Sequence, residues 1–336
     1  MDERYSRQTR VRGVGEDGQR RIGAGRVGVL GLGALGSVSA NALARAGVGY
    51  LRLIDRDIVD LSNLQRQVLF NELDAAAARP KAVAAADHLR GVNSQITIEP
   101  VVQELDAGCI EDLIRDLDVV VDGSDNFALR YLVNDACVKH GLPWVYGGAL
   151  GSYGMTTTIV PGRTACLQCF IGPMPDPGSI ETCSTAGVLA PVTGVIANTQ
   201  AAEVLKLLVG ASPRETVLIV DLWQGSADVV ELRRAPDCPV CVHGRFEHLE
   251  SADSTRVRVM CGEDTVQVNP ARRAALSLDR LAERFAELGE ARLHDGVLRL
   301  KLDTLDLTLF ADGRALIRGV RDEAHALNLY AEYVGL

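Results

Sequence analysis

A strand, a glycine turn and a helix in immediate succession, short apolar strands alternating with helical stretches over most of the chain, and a tail with its own pattern of strands and helices predict an α/β fold followed by a small α+β domain. The first of these carries the most information. The apolar run Arg26-Val27-Gly28-Val29-Leu30 leads into Gly31-Leu32-Gly33-Ala34-Leu35-Gly36 and then a helical pattern from Ser37 to Ala46. Gly31 permits a tight turn, Gly33 lets backbone N–H groups approach a phosphate, and Gly36 lets the helix pack closely on the sheet. The next strand, Tyr50-Leu51-Arg52-Leu53-Ile54, ends in Asp55, roughly 20 residues past the last glycine, where a carboxylate can accept hydrogen bonds from ribose hydroxyls. The expectation is a Rossmann-like mixed sheet with helices on both faces and a nucleotide at the glycine turn.

A chain of 336 residues is long for one compact unit, so two domains are expected. The net charge of −9 and the absence of a long Lys/Arg run argue against a nucleic-acid surface. The polar start Met1-Asp2-Glu3-Arg4-Tyr5-Ser6-Arg7-Gln8 lacks the apolar core of a secretory signal, and no run of about 18 apolar residues spans a membrane. Of the eight cysteines, four form two CxxC pairs, which suits metal binding in a reducing compartment better than a disulfide framework. A cytoplasmic protein without a membrane partner is expected.

In chain order, a charged and helical lead carrying Arg4, Arg7 and Arg10 precedes the glycine turn; by itself it reads as a solvated surface. After Asp55 comes Arg56-Asp57-Ile58-Val59-Asp60-Leu61-Ser62-Asn63-Leu64-Gln65-Arg66-Gln67, a polar stretch whose amides and guanidinium suit phosphates beside the turn. Pro80 starts an Ala-rich helix reaching Arg90 and places Lys81 in its first turn. A strand over Gln95 to Val101, a helix over Ile110 to Leu117 and a buried strand over Asp118 to Asp122 follow. The last strand ends in Gly123-Ser124-Asp125-Asn126. Ligands of open α/β sheets bind at carboxyl strand ends, so Asp125 faces the nucleotide and its metal, or else caps the next helix.

Strands at Trp144 to Gly148 and Met155 to Val160 make the sheet mixed. Cys166-Leu167-Gln168-Cys169 and Cys238-Pro239-Val240-Cys241 together supply four thiolates, the set that a structural zinc closes; two redox pairs or unrelated buried thiols are the alternatives. Between them Cys183 lies shortly before the apolar helix of Val188 to Val209, either as a dipole-activated thiolate or as an inert buried thiol. Strands over Thr216 to Asp221 and Ala227 to Leu232 precede the second pair. His243-Gly244-Arg245 marks a boundary, giving domains 1–245 and 246–336. The tail reads as strands near Val257 to Met260, Thr265 to Val268, Val297 to Leu302 and Leu305 to Phe310, a hairpin at Asp312-Gly313, and helices over Leu278 to Leu288 and Asp322 to Tyr333.

Taken together, these residues resemble the ThiF/MoeB/HesA adenylyltransferases, bacterial relatives of ubiquitin-activating enzymes. The resemblance runs from about Tyr5 to Cys241. It rests on Arg4-Tyr5-Ser6-Arg7-Gln8, the Gly31 to Gly36 turn, Ser62-Asn63-Leu64-Gln65-Arg66-Gln67, Arg79-Pro80-Lys81, Ser124-Asp125-Asn126, both CxxC pairs, and Thr182-Cys183 with Ala186-Gly187-Val188. It implies ATP rather than a dinucleotide, with Asp55 on the ribose, Asn63, Arg66 and Lys81 on the triphosphate, and Asp125 as the acid essential for adenylation through Mg2+. Arg7 matches an arginine that reaches the ATP site of a dimer partner, so a homodimer is implied. Cys183 matches a cysteine that some relatives use in sulfur transfer. The substrate class is the C-terminal Gly-Gly carboxylate of a ThiS/MoaD-like β-grasp sulfur-carrier protein, serving thiamine, molybdenum cofactor or related sulfur transfer, with a cysteine desulfurase or other sulfur donor as a further partner. The cofactors implied are ATP, Mg2+ and Zn2+. The alternatives are an NAD-dependent oxidoreductase, which the glycine turn and Asp55 alone permit, and a non-catalytic nucleotide-binding scaffold that docks a carrier.

Overall fold

The structure is a computed structural model that describes residues 3–174, 186–250, 256–259, 264–270, 276–302 and 305–334, with the backbone alone at 256–259. Its chain divides into two compact units, Met1–Ser251 and Ala252–Leu336. In the first unit the helices are α1 (Gly15–Ala24), α2 (Ala34–Ala46), α3 (Glu72–Ala76), α4 (Lys81–Val92), α5 (Ile110–Ile114), α6 (Phe127–Lys139), α7 (Leu167–Ile171) and α8 (Ala190–Val209). Its strands are β1 (Arg26–Leu30), β2 (Tyr50–Asp55), β3 (Thr97–Val102), β4 (Val119–Asp122), β5 (Trp144–Leu150), β6 (Tyr153–Ile159), β7 (Thr216–Asp221) and β8 (Ser226–Glu231). The lead before α1 folds into two short 3-10 turns, Glu3–Tyr5 and Gln8–Arg10.

The eight strands form one sheet in the order β3-β2-β1-β4-β5-β6-β7-β8. The first five in that order run parallel, and β6 to β8 are antiparallel. Both faces are covered, as a parallel sheet requires. On one face Val27, Val29, Leu51 and Leu53 pack with Leu43 of α2, Leu89 of α4 and Val204 of α8. On the other, Leu30, Ile54, Val120 and Trp144 pack with Ile110 and Ile114 of α5 and Tyr131 and Ala136 of α6. Small residues bring α2 and α4 close to the sheet, with Ala40, Ala44, Ala82 and Ala85 fully buried. Gly47 ends α2 with φ +82°, and Gly210 ends α8 with φ +78°. By length and composition α8 is apolar enough to cross a membrane. It lies along α2 and the sheet, with Gln200 and Glu203 buried inside the unit.

The first unit continues past Arg245 because the next residues pack onto it. Phe246 and Leu249 join the core beneath α6, and the His248 backbone N–H donates to Asp135 Oδ2 at 3.1 Å.

The second unit is a six-stranded antiparallel sheet. It holds β9 (Arg256–Val259), β10 (Thr265–Asn269), β11 (Glu290–His294), β12 (Val297–Lys301), β13 (Asp306–Phe310) and β14 (Ala315–Arg318), ordered β11-β12-β13-β14-β10-β9. Its helices among the described residues are α9 (Leu278–Phe285) and α10 (Glu323–Tyr333). Val266, Leu298, Leu300, Leu307, Leu309 and Ile317 share one core with Phe285 and Tyr330. The Asp312-Gly313 hairpin is fixed by Gly313 at φ +89° and by Tyr330 Oη, which donates to the Gly313 carbonyl at 2.6 Å. Asp322 caps α10 by accepting from the His325 N–H at 2.9 Å.

Candidate active site

The chain leaves β1 for β2 and β3 on one side and returns to β4 on the other, so the order reverses between β1 and β4. The glycine turn after β1 and the Gly123–Asn126 segment after β4 meet there. Gly31 adopts φ +88° and its N–H donates to the Ile54 carbonyl at 2.8 Å, while the Gly123 N–H donates to Leu30 O at 2.8 Å. A Cβ on Gly36 would fall 1.8 Å from Gly31 O, and one on Gly123 would fall 2.3 Å from the same atom. Packing therefore demands glycine at 36 and 123. Gly33 is different. It caps α2 at φ −71°, and a Cβ there would meet nothing nearer than Gly123 O at 3.8 Å and Gln67 Nε2 at 3.9 Å. Among the described residues no atom forbids a side chain at Gly33, whereas a phosphate seated on the free N–H groups of the α2 terminus would.

Asp55 ties β2 to the turn. Its Oδ2 accepts from Leu32 N at 2.6 Å and its Oδ1 from Asp57 N at 2.7 Å. Burial pushes its pKa up against the opposing field of Lys81. Lys81, 6% exposed, sits 3.4 Å from Asp57 Oδ2. Burial pulls its ammonium down, but Asp57, Asp55 and Asp125 outweigh that and leave it above the ordinary lysine value. A buried, charged lysine thus faces the sheet edge. Its place is fixed by the Lys81 N–H donating to Asp57 O at 2.9 Å and by the bridge between Ile58 and Pro80.

Asn63 and Arg66 share the 3-10 turn Leu61–Asn63 and its continuation, which Asp60 caps by accepting from Ser62 N at 2.9 Å. Arg66 donates to the Ser62 carbonyl at 3.1 Å and has no carboxylate within ion-pair distance among the described residues. Asp125 is exposed. The cap of α6 falls to Asn126, whose side chain accepts from Ala128 N at 2.9 Å, so Asp125 is left with no hydrogen bond among the described residues.

Three residues at this edge escaped the sequence reading. Arg130, 6% exposed, donates to Asp122 Oδ2 at 3.0 Å, Ser124 O at 2.7 Å and Gly147 O at 3.0 Å. Asp122 in turn accepts from the Ser124 N–H at 2.9 Å and hydroxyl at 2.6 Å, so the pair clamps the segment carrying Asp125 to two strand ends. Fully buried Gln200 of α8 donates to Asp122 O at 2.8 Å and Val145 O at 3.1 Å. The one available signal was the spacing of Arg130, four residues after the Asn126 cap and so on the same helix face.

Arg7 is not brought to this site. Gln8 Nε2 donates to Ala46 O at 2.8 Å and Tyr5 Oη accepts from Asn93 Nδ2 at 2.9 Å, which pins the lead at the far end of the 13-residue α2. That end lies about 20 Å from the glycine turn. Cys183 lies outside the described residues.

The four CxxC cysteines converge. Cys166 Sγ lies 3.8 Å from Cys169 Sγ and 3.6 Å from Cys238 Sγ, Cys169 Sγ lies 3.5 Å from Cys241 Sγ, and all four sulfurs fall within 4.8 Å of one another. A tetrahedral ion with metal–sulfur bonds of about 2.3 Å sets its sulfurs about 3.8 Å apart, so the cluster is compatible with zinc. Without a metal, burial pushes the Cys166 thiol far up.

The family model described as the ThiF family matches residues 5–240. A sulfur carrier protein ThiS adenylyltransferase of Bacillus subtilis is 39% identical over 338 residues, covering 100% of both chains. A SAMP-activating enzyme E1 of Haloferax volcanii is 40% identical over 75% of this chain and 93% of its own. Among solved structures, Escherichia coli MccB with AMPCPP and MccA superposes with a TM-score of 0.62 at 26% identity, covering 71% of this chain and 74% of that one. The matched span takes in the glycine turn, Asp55, Lys81, Asp125 and three of the four clustered cysteines: the chain belongs to the ThiF family.

Proposed function

We propose that this chain is an ATP-dependent adenylyltransferase that activates the C-terminal Gly-Gly carboxylate of a small ThiS-type sulfur carrier, releasing pyrophosphate. The observation that carries the reading is the convergence of Gly33, charged Lys81 and unpaired Asp125 at the β1/β4 switch point. The full-length likeness to a ThiS adenylyltransferase supports the carrier class, and thiamine synthesis as its use.

The chemistry follows from the groups present. Lys81, Arg66 and the α2 N–H groups hold phosphate oxygens and offset the charge that develops as pyrophosphate leaves. Asp125 would supply a carboxylate to Mg2+, which would offset phosphate charge, while Asp55 and Asn63 orient ribose and phosphate, and no general base is needed because the attacking carboxylate is already ionised. Arg7 is supplied to this site by a second copy, since its own copy holds it at the distal end of α2. A role for Cys183 falls after adenylation, when a cysteine desulfurase or similar donor delivers sulfur. Zinc held by Cys166, Cys169, Cys238 and Cys241 ties α7 to the segment after β8.

Carrier-dependent ATP–pyrophosphate exchange tests the reading. Exchange that requires a Gly-Gly-ended carrier supports it; none with any such carrier overturns it. Mixing inactive Arg7→Ala with inactive Asp125→Ala restores part of the exchange if sites are shared between copies. Metal analysis is expected to find one zinc per chain, lost with a large fall in thermal stability in Cys238→Ser.

A further inference from the structure

Tyr146 is 3% exposed, yet its hydroxyl makes no hydrogen bond among the described residues. A recessed hydroxyl left without a partner is unfavourable and calls for an explanation. The ring itself is firmly held. It packs edge-on against Trp144 at 6.3 Å and Phe170 of α7 at 5.9 Å, and the Arg130 guanidinium lies over it at 5.2 Å. The glycine two residues on makes room for its tip: a Cβ on Gly148 would fall 2.8 Å from Tyr146 Oη, so the phenol lies along β5 toward the carboxyl end. There β5 outruns β4. Val121 pairs with Val145 and β4 stops at Asp122, so Tyr146 is level with the last residue of β4 and Gly148 lies beyond it. Burial pulls the Arg130 guanidinium down, but Asp122, Tyr146 and Asp125 outweigh that, so the phenol oxygen and Asp125 act on one charge.

We propose that Tyr146 binds the carrier, its hydroxyl donating to a peptide carbonyl of the C-terminal Gly-Gly tail as that tail crosses the carboxyl end of β5. The proposal rests on the functional reading above, which fills the β1 side of Asp125 with nucleotide and leaves the β5 side to the attacking group. The chemistry of the position favours a peptide over a phosphate. Trp144, Phe170 and Met155 make the surroundings largely apolar, and burial pushes the Tyr146 pKa up against the field of Arg130, so the group is a neutral donor. A neutral donor between apolar walls suits an uncharged carbonyl. Depth limits what reaches it: so recessed a hydroxyl admits a backbone without a side chain, which a Gly-Gly tail presents.

The test separates carrier from nucleotide and both from folding. ATP–pyrophosphate exchange is followed against a ThiS-type carrier ending in Gly-Gly for the wild type and Tyr146→Phe, ATP with Mg2+ is titrated calorimetrically without carrier, and thermal unfolding is recorded without either. Tyr146→Phe should lower kcat/KM for the carrier by about fivefold, the worth of one neutral hydrogen bond. Its ATP affinity should match the wild type. It should unfold no lower, because the hydroxyl it loses has no partner in the protein. Unchanged kcat/KM for the carrier overturns the proposal, whether unfolding is unchanged, which marks a hydroxyl served by water alone, or lowered, which marks a packing residue. An equal loss of ATP affinity also overturns it, by assigning the hydroxyl to the nucleotide. Tyr146→Met repeats the measurement should Tyr146→Phe fail to fold. A wild type without exchange on any such carrier would instead overturn the functional reading.

Discussion

At the amino ends of the parallel strands, polar side chains close on protein partners. Arg26 pairs with Asp116 at 2.5 Å, Arg52 bridges Glu99 and Asp116 at 2.7 Å each, and Asn93 donates to Tyr5 Oη at 2.9 Å and Ala44 O at 2.7 Å. Arg52 and its neighbours hold the Asp116 and Glu99 carboxyls below their ordinary values. At the carboxyl ends, burial instead pushes Asp55 and Asp122 up, Asp125 has no partner among the described residues, and Gln67 Oε1 is unsatisfied. The charged and amide side chains of the amino edge are met by protein partners, with buried Trp144 Nε1 as the exception, whereas the carboxyl edge keeps Asp125 and Gln67 Oε1 unmet among the described residues. The difference separates residues whose loss should cost stability from those whose loss should cost chemistry, which is the usual trade at a functional site.

The largest expected effect is on chemistry. Asp125→Ala should lower carrier-dependent exchange by about 100-fold or more. Its thermal unfolding should stay within about 0.5 kcal/mol of the wild type, because Asn126 and not Asp125 caps α6. Full exchange in this variant would place Asp125 among the merely structural groups and break the comparison.

Arg130→Met sharpens it from the stability side. Removing one partner of a buried ion pair leaves an uncompensated charge and should cost about 3–5 kcal/mol, read by denaturant unfolding. Exchange should fall as well, since the clamp on the Asp125 segment goes with it. A stable variant would show that Asp122 is held by Ser124 alone.

How much of this was legible beforehand follows from how local each signal is. The β1 turn, α2, Asp55 and the cysteine pairs are written in consecutive residues, and glycine spacing, strand period and CxxC reveal them without a fold. Lys81 was placed by Pro80. Arg130, Gln200 and the isolation of Gln67 exist only through contacts between distant segments, as when Gln200 reaches Asp122 across the sheet. Asp125 stayed open between a helix cap and a ligand until Asn126 was seen to take the cap. The strand β11 was missed because the alternation of Glu290-Ala291-Arg292-Leu293-His294 offers only two apolar residues, one of them alanine, and the strand is largely exposed. The lead was read as one charged helical segment, whereas Gln8 and Tyr5 anchor two short turns before α1 begins.

At the closed edge, Asn93→Ala should lower stability by about 1–3 kcal/mol, because Asn93 is fully buried and its removal leaves Ala44 O and Tyr5 Oη short of a donor. Exchange per folded molecule should fall far less than in Asp125→Ala, because Asn93 reaches the chemistry only through the lead that carries Arg7. A loss as large as that of Asp125→Ala in the folded fraction would mean that the amino edge is coupled directly to the site.

The smallest effect is the most diagnostic of sign. Asp116 sits on the surface, its side chain 42% exposed, so its pairs with Arg26 and Arg52 are screened and Asp116→Asn should cost about 0.5 kcal/mol at neutral pH. Because hydrogen bonding from Arg52 lowers the Asp116 pKa in the folded state, the folded protein binds fewer protons there than the unfolded chain. Its contribution is therefore fully present above the unfolded carboxylate value of about 3.9 and is lost as pH falls through the lower folded value. Wild type and Asp116→Asn should converge in stability below about pH 4. A carboxylate of the open edge carries the opposite sign. Asp122, raised by burial, weighs against folding at neutral pH, and that weight lifts as pH falls through its folded value. If urea unfolding across pH showed Asp116→Asn to be more stable than the wild type at pH 7, Asp116 would belong with Asp122, and the division between a satisfied edge and a waiting one would fail.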